Sequence, residues 1–489
     1  MDGDAVAHEP PPVAGALLSL ARPLGFFALA GLFAVVLLTI GAIVWQSVPL
    51  ALAVVASLLV GFAVLGWLDA AVALVALVVA LPLVSVEVGF GDVERTVSGD
   101  KVVLVVLVAT WLWRLPRARL AELGRLSPVR WWGVLIGVVV LSAIRNGLTP
   151  LQLWGVVGQV VYAGVFLVAL DTFRDRSALR STLGAAVVTA GIVSVLGVAE
   201  QAVWRSGHVL RLYFKAGTLT NALYGGATNF GSTIGHPNFF AAYVVLLLPV
   251  AAVLACVASR PARAALAAAA TVAGAVALLA VRSLGAGIGL GAAVLSSTFL
   301  ASRTGRARTA VIAAACGIAL VLGVAAVRTR GFTGSTSVGV RAYVHVIGVA
   351  AIAERPWLGF GQRGFARQSN RLEIKSFGSR MLFLHKAHES ISSHDSFLQV
   401  AVERGLIGLV AFVGLLGSIL RKTIAGVLRP GGDSPPWLLL GMAAGLVAFV
   451  LQSFTEALFD YSKVASIFWI VAAAGVRLAS PAGREAERG

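Results

Sequence analysis

Long apolar runs separated by short polar loops dominate the chain. They centre on residues 25–45, 48–67, 70–88, 101–113, 131–145, 152–170, 182–203, 238–258, 264–281, 284–301, 309–327, 396–420, 437–454 and 464–478. Most approach the roughly 18 residues that a helix needs to cross a hydrocarbon core, so the pattern predicts an all-α, polytopic transmembrane bundle of about fourteen spans. Two connections break the rhythm, 204–237 and 328–395. The second, about 68 residues long, far exceeds an ordinary connection and is expected to carry structure of its own. Within it the pattern predicts a helix over 339–354, stopped by Arg355-Pro356, and a second helical stretch in 362–393. The expected organisation is a tail (1–24), an N-terminal bundle (25–203), a first outer loop (204–237), central helices (238–327), a large, partly helical outer loop (328–395), C-terminal helices (396–478) and a tail (479–489).

Composition supports this reading. Apolar residues make up 58% and charged residues 12%, where a soluble domain carries about 25% charge. Residues 1–16, with Asp2, Asp4, Glu9 and three prolines, do not read as a cleavable signal peptide. Cys256 and Cys316 lie in or beside apolar runs and support neither a disulfide framework nor a cysteine metal site.

The formal charge of +17 would raise nucleic acid as a partner of a soluble protein, but basic cytoplasmic loops account for it in a membrane protein, and no nucleic-acid partner is expected. With the N-terminus in the cytoplasm, the short basic loops 114–130, 171–181, 259–263, 302–308 and 421–436 all fall inside, the acidic loop 89–100 falls outside, and the C-terminus returns to the cytoplasm. The two long outer loops then break the usual rule by being basic. Arg205, Arg211 and Lys215 lie in the first, and ten Arg or Lys residues lie in the second. Cations gathered on an outer face call for an anionic partner.

Span interiors hold almost no Asp or Glu, which weakens a proton-coupled transporter. Arg282 stands at the outward end of a span, placed either to snorkel or to clamp a phosphate at the membrane surface. His385 and His388 are spaced i, i+3 around Lys386, a poor metal pattern, so no metal site is expected. His394 opens HDSFLQVAVERGLIGLVAF, a polar pair at the mouth of a span whose first turns place Gln399 and Glu403 on one face. An imidazole at a lipid–water boundary suits general-base work on a sugar hydroxyl; alternatively, Ser393 or Asp395 simply caps the helix. Arg363, Arg367 and Arg371 recur every four residues, one helical face for an anionic glycan or for lipid headgroups.

Several of these elements, taken in order, resemble the O-antigen ligase and O-antigen polymerase superfamily. They are Arg341, then Arg355-Pro356-Trp357-Leu358-Gly359-Phe360-Gly361 with Phe365, then His394-Asp395-Ser396-Phe397-Leu398-Gln399 and Glu403-Arg404-Gly405-Leu406-Ile407-Gly408. Gly235-His236-Pro237-Asn238-Phe239-Phe240-Ala241 is similar to a further family element. The resemblance covers about residues 230–412. It implies glycan transfer from a polyprenyl diphosphate carrier to an acceptor hydroxyl on the outer face of the bacterial cytoplasmic membrane. It also implies that His394 is the essential histidine, that Arg341 is the arginine opening the large loop, and that the element around Arg282 is the family's Ser-Arg-Gly-Ala stretch. Leu284 stands where that last arginine is expected, and Asp395 replaces the commoner Asn. Arg211 or Lys215 substitutes for an arginine usually found before the Pro-Asn pair.

The expected site is therefore His394, Arg341 and Arg282 in catalysis, with Arg211, Lys215, Asn238, Arg363, Arg367, Arg371, Asp395 and Gln399 binding diphosphate or glycan. The expected partners are a polyprenyl diphosphate-linked donor, a lipid, glycan or protein hydroxyl acceptor, and membrane lipids; no cofactor is expected. A polymerase of lipid-linked repeat units shares this donor chemistry, and a lipid-linked sugar flippase or exporter is the alternative from another class.

Overall fold

The computed structural model describes residues 48–84, 86–89, 96–206, 214–216, 231–281, 283–302, 337–376, 393–429 and 437–480. The expected spans 25–45 and 309–327 lie outside the described residues, as do Arg211, Arg282, His385 and His388. In chain order the helices are α1 (Val48–Leu68), α2 (Ala70–Leu83), α3 (Gly99–Arg114), α4 (Arg117–Gly124), α5 (Ser127–Arg145), α6 (Pro150–Thr172), α7 (Arg176–Arg205), α8 (Pro237–Val257), α9 (Pro261–Val281), α10 (Leu284–Ala301), α11 (Ser337–Glu354), α12 (Gly364–Ser376), α13 (Ser396–Leu428), α14 (Trp437–Gln452) and α15 (Ser462–Leu478).

Six of these are long and apolar enough to cross a membrane: Ser127–Arg145, Pro150–Thr172, Arg176–Val203, Pro237–Val257, Pro261–Val281 and Ser396–Leu428. In hydrocarbon a backbone must satisfy its own hydrogen bonds, which is why each apolar run closes into a helix. Starts follow the local chemistry. Thr149 caps α6 ahead of Pro150, and Asp69 caps α2 after a junction of one residue.

The expected span 70–88 stops at Leu83. Three short strands follow at this end of the bundle: β1 (Val86–Gly89), antiparallel to β2 (Thr96–Ser98) and parallel to β3 (Phe214–Ala216), which contains Lys215. Segments of three or four residues carry too little alternation to announce strands from sequence.

The helix α15 runs through the middle of the bundle, buried along nearly all its length, and packs on α6. Trp469 and Phe468 anchor an aromatic cluster with Trp132, Phe166, Phe449 and Phe459. A second, smaller core stands apart from it: Val344, Ile347 and Ala351 of α11 meet Phe360, Phe365 and the α13 residues Leu398 and Val402. The helices α11 and α12 thus form an arm docked on the start of α13.

At the opposite end the basic loops are tied by ion pairs. Asp171 takes Arg119 at 2.8 Å and Arg174 at 3.5 Å, and Arg174 also reaches Glu122 at 2.6 Å. Exposed Trp67 and Trp113 sit at this end, and exposed Trp154 and Trp357 at the other. Tryptophans at both ends of an apolar bundle are the usual interfacial belts.

Candidate active site

The site is organised around a break in a helix. Gly405 lies within α13 at φ 70° and ψ −177°, so the element is two helices meeting at a kink. A break strands backbone carbonyls that the helix would otherwise pair. The Arg355–Gly361 segment supplies the missing donors: the Phe360 N–H donates to the Val402 carbonyl at 2.9 Å and the Gly361 N–H to the Glu403 carbonyl at 2.8 Å. In return, the Leu406 N–H donates to the Pro356 carbonyl at 2.6 Å. Gly359, at φ 62°, passes so close that a Cβ there would lie 2.5 Å from the Val402 oxygen. The glycines of this motif are required because two backbones cross in contact.

His394 immediately precedes this broken helix. Asp395 is the N-cap of α13, its carboxylate accepting from the Phe397 N–H at 2.7 Å and the Leu398 N–H at 3.1 Å. That leaves His394 on the approach, held at φ 49°. The other described non-glycine residues at positive φ are Leu148, Ser232 and Arg363. All four lie in connections at the end of the bundle that carries the site, and strain of this kind collects where geometry is over-determined.

The histidine has a partner the sequence reading missed. Nδ1 of His394 stands 3.1 Å from Oε1 of Glu456, a carboxylate 2% exposed. Glu456 is held from several sides. The Asn238 amide donates to its Oε2 at 2.8 Å, and the Ser283 hydroxyl donates to Asn238 Oδ1 at 3.0 Å. The Ser396 hydroxyl donates to the Glu456 carbonyl at 3.0 Å, and the Ser396 N–H to the Ser453 carbonyl at 2.8 Å. Asn238 enters this network from the first turn of α8, which His236 caps ahead of Pro237. The starts of α8 and α13 therefore converge on Glu456, and the start of α10 braces Asn238 from behind.

With Nδ1 donating to Glu456, Nε2 becomes the basic nitrogen of His394. Burial by itself raises the Glu456 pKa, but the hydrogen bond and charge of His394, with the Asn238 amide, outweigh it and hold the carboxyl below its ordinary 4.5. A depressed carboxyl adds stability that is present above its ordinary value and is lost as pH falls through the depressed one. Glu456→Gln is therefore expected to melt below wild type at pH 7, with the gap narrowing as pH drops below about 4.5, as read by thermal unfolding across pH. Burial pushes the neighbouring His236 down, which suits its neutral role in accepting from the Asn238 N–H at 3.3 Å.

Arg341 connects to the same place through the arm. Its carbonyl stands 2.7 Å from Nδ1 of His345, whose Nε2 stands 3.1 Å from Oδ2 of Asp395. One imidazole thus bridges the helix bearing Arg341 and the residue following His394. Replacing it by alanine is expected to loosen α11 from α13, seen as faster amide exchange over 341–351 with little change elsewhere.

The arginine face of α12 is largely engaged within the protein. Arg367 donates to the carbonyls of Phe360 at 2.9 Å and Gln362 at 3.1 Å, and Arg371 pairs with Glu354. Arg363 bears electrostatically on Asp460. Gln399 accepts from the Ser393 hydroxyl at 2.8 Å and directs its amide to Glu403 and Asp460. Glu456 gave one signal in the sequence, a polar run from Gln452 to Glu456 between two apolar segments, but nothing there pointed to a histidine 62 residues away.

Residues 241–413 match the family model described as O-antigen ligase, so this segment of the chain is similar to the O-antigen ligase superfamily. No curated protein matches the chain. The matched segment contains Arg341, the Arg355–Gly361 motif, His394 and Gly405; Asn238 and Glu456 lie on either side of it.

Proposed function

We propose that this membrane protein transfers a glycan from a polyprenyl diphosphate-linked donor to an acceptor hydroxyl, on the extracytoplasmic face, with inversion and without a metal. The observation that carries the reading is the His394–Glu456 pair at 3.1 Å, set beside the docked arm that holds Arg341, within a fold whose matched family consists of membrane glycosyltransferase-like ligases and polymerases. The outer-face placement is supported by the basic, ion-paired loops at the far end and by the tryptophan belts.

In this mechanism Nε2 of His394 takes the proton from the acceptor hydroxyl as the acceptor oxygen attacks the anomeric carbon. The bond from that carbon to the diphosphate oxygen breaks on the opposite side, and the polyprenyl diphosphate departs with the electron pair. Glu456 orients the imidazole and stabilises its protonated form, the part a buried carboxylate plays beside a catalytic histidine. Arg341, with Arg282 and either Arg211 or Lys215, would meet the charge that gathers on the leaving group, and arginine suits that task because its planar fork matches phosphate oxygens.

The test is reconstituted protein given a polyprenyl diphosphate-linked oligosaccharide and a panel of hydroxyl acceptors. Release of polyprenyl diphosphate together with glycan transfer supports the reading, and the acceptor that works separates a ligase from a polymerase. Movement of the intact lipid between leaflets with no bond broken would make the protein a flippase.

A further inference from the structure

The Arg355–Gly361 motif does not hold the helix break by itself; a turn far away in sequence grips it from the other side. We infer that the α5–α6 turn, with the helix ends flanking it, is a seat that positions the catalytic arm, and that Gln152 and Asn146 are positioning residues for the transfer reaction. The inference rests on the proposed glycan transfer. It concerns residues outside the segment that matches the O-antigen ligase family.

Five hydrogen bonds define the seat. Oε1 of buried Gln152 accepts from the Gln362 N–H at 2.8 Å. The Asn146 side chain works in both directions: its Oδ1 accepts from Arg355 Nη1 at 3.0 Å, and its Nδ2 donates to the Gly359 carbonyl at 3.4 Å. The Ser142 hydroxyl donates to the Leu358 carbonyl at 2.7 Å and leans on the Glu403 carbonyl at 3.2 Å. Gly155, one turn beyond Gln152, leaves room for the Gln362 side chain, which a Cβ would meet at 2.6–2.9 Å. The turn itself holds Leu148 at φ 48°, so its shape is constrained rather than relaxed.

The grip is transmitted in one step to the reacting end. The strand of chain held by Gln152 and Asn146 is the one whose Phe360 and Gly361 N–H groups pair with the Val402 and Glu403 carbonyls. Those carbonyls belong to the half-helix that begins at Asp395, next to His394. Through Phe360 and Phe365 the same strand also packs against Val344 and Ile347, on the helix bearing Arg341. Gln152 touches neither donor nor acceptor in this scheme. It fixes the distance between a base and a phosphate-binding arginine, and a displacement of about 1 Å in such a constellation costs up to about 100-fold in rate.

The experiment uses full-length protein in nanodiscs with a polyprenyl diphosphate-linked oligosaccharide, and reads kcat and KM separately. Gln152→Ala and Gly155→Ala are each expected to lower kcat roughly 10- to 100-fold while donor KM changes by less than about threefold. Adding Gln362→Gly to Gly155→Ala removes the collision and is expected to restore most of the rate. A second reading does not depend on turnover: pulsed electron resonance between spin labels on exposed Val349 of α11 and exposed Leu279 of α9 should show a shifted or broader distance in Gln152→Ala. An unchanged distance overturns the inference. So does wild-type kcat in both single variants, a loss confined to thermal stability, or a Gly155→Ala defect that Gln362→Gly fails to relieve. If wild type itself transfers no glycan, the proposed function fails, and the distance measurement still decides whether the seat positions the arm.

Discussion

His394→Ala protein, reconstituted with a polyprenyl diphosphate-linked glycan and an acceptor, is expected to lose about 10²- to 10⁴-fold of its transfer rate, the range a general base contributes. Donor binding should survive, since the diphosphate is assigned to arginines rather than to the imidazole. Two effects must be separated, because the substitution also deprives the buried Glu456 of its 3.1 Å partner. A buried carboxylate left without that partner costs stability. The double variant His394→Ala with Glu456→Gln removes the stranded charge, so it should recover thermal stability and remain inactive. Full activity in His394→Ala would refute the assignment of the base.

Gly405→Ala should have the largest structural effect of any single methyl in the arm's dock. Its φ of 70° already disfavours a side chain, and a Cβ would collide with the Trp357 carbonyl and lie 2.5 Å from the Leu358 nitrogen. Neither obstacle is the far end of a flexible side chain, so one of two backbones must move. A loss above about 3 kcal/mol is expected, the range reserved for strain and steric conflict in packed regions. The arm should become susceptible to limited proteolysis between 337 and 376, with glycan transfer lost in parallel. Gly417 in the same element provides the control. Nothing lies within 4 Å of a Cβ there, so Gly417→Ala should be neutral or slightly stabilising.

These two positions also show which parts of the molecule could be read from its sequence. Hydropathy revealed the bundle because each span must close its own hydrogen bonds, and the helices α5 to α10 begin and end within a few residues of the apolar runs. The place of His394 at the mouth of a span was legible because a polar pair there is unusual, and Asp395 caps the helix as its residue type suggests. Glu456 was not legible, since a single acid in a polar connection is ordinary and its meaning lies in Asn238, Ser283 and His394, which fold beside it from other elements. The periodic arginines of α12 illustrate the opposite error. Spacing placed Arg367 and Arg371 on a helix, but Arg363, at φ 54°, lies one residue ahead of α12 and does not share its face, and spacing cannot see that Glu354 and two carbonyls stand opposite the other two. The seat in the α5–α6 turn was invisible for the same reason: Ser142, Asn146 and Gln152 are common polar residues whose partners are more than 200 positions away.

The helix break also bears on how substrates come and go. The Val402 carbonyl takes its donor from the Phe360 N–H, and the Glu403 carbonyl takes the Gly361 N–H together with the Ser142 hydroxyl of α5. Lifting the arm would strip the Val402 carbonyl of its Phe360 donor and leave the Glu403 carbonyl with Ser142 alone, and a buried acceptor without its partner costs about 1–3 kcal/mol. The arm is thus expected to stay docked through turnover rather than to swing as a gate. Under the proposed glycan transfer, the lipid-borne donor is expected to reach His394 laterally along the membrane, with turnover paced by that traffic rather than by opening and closing of the motif.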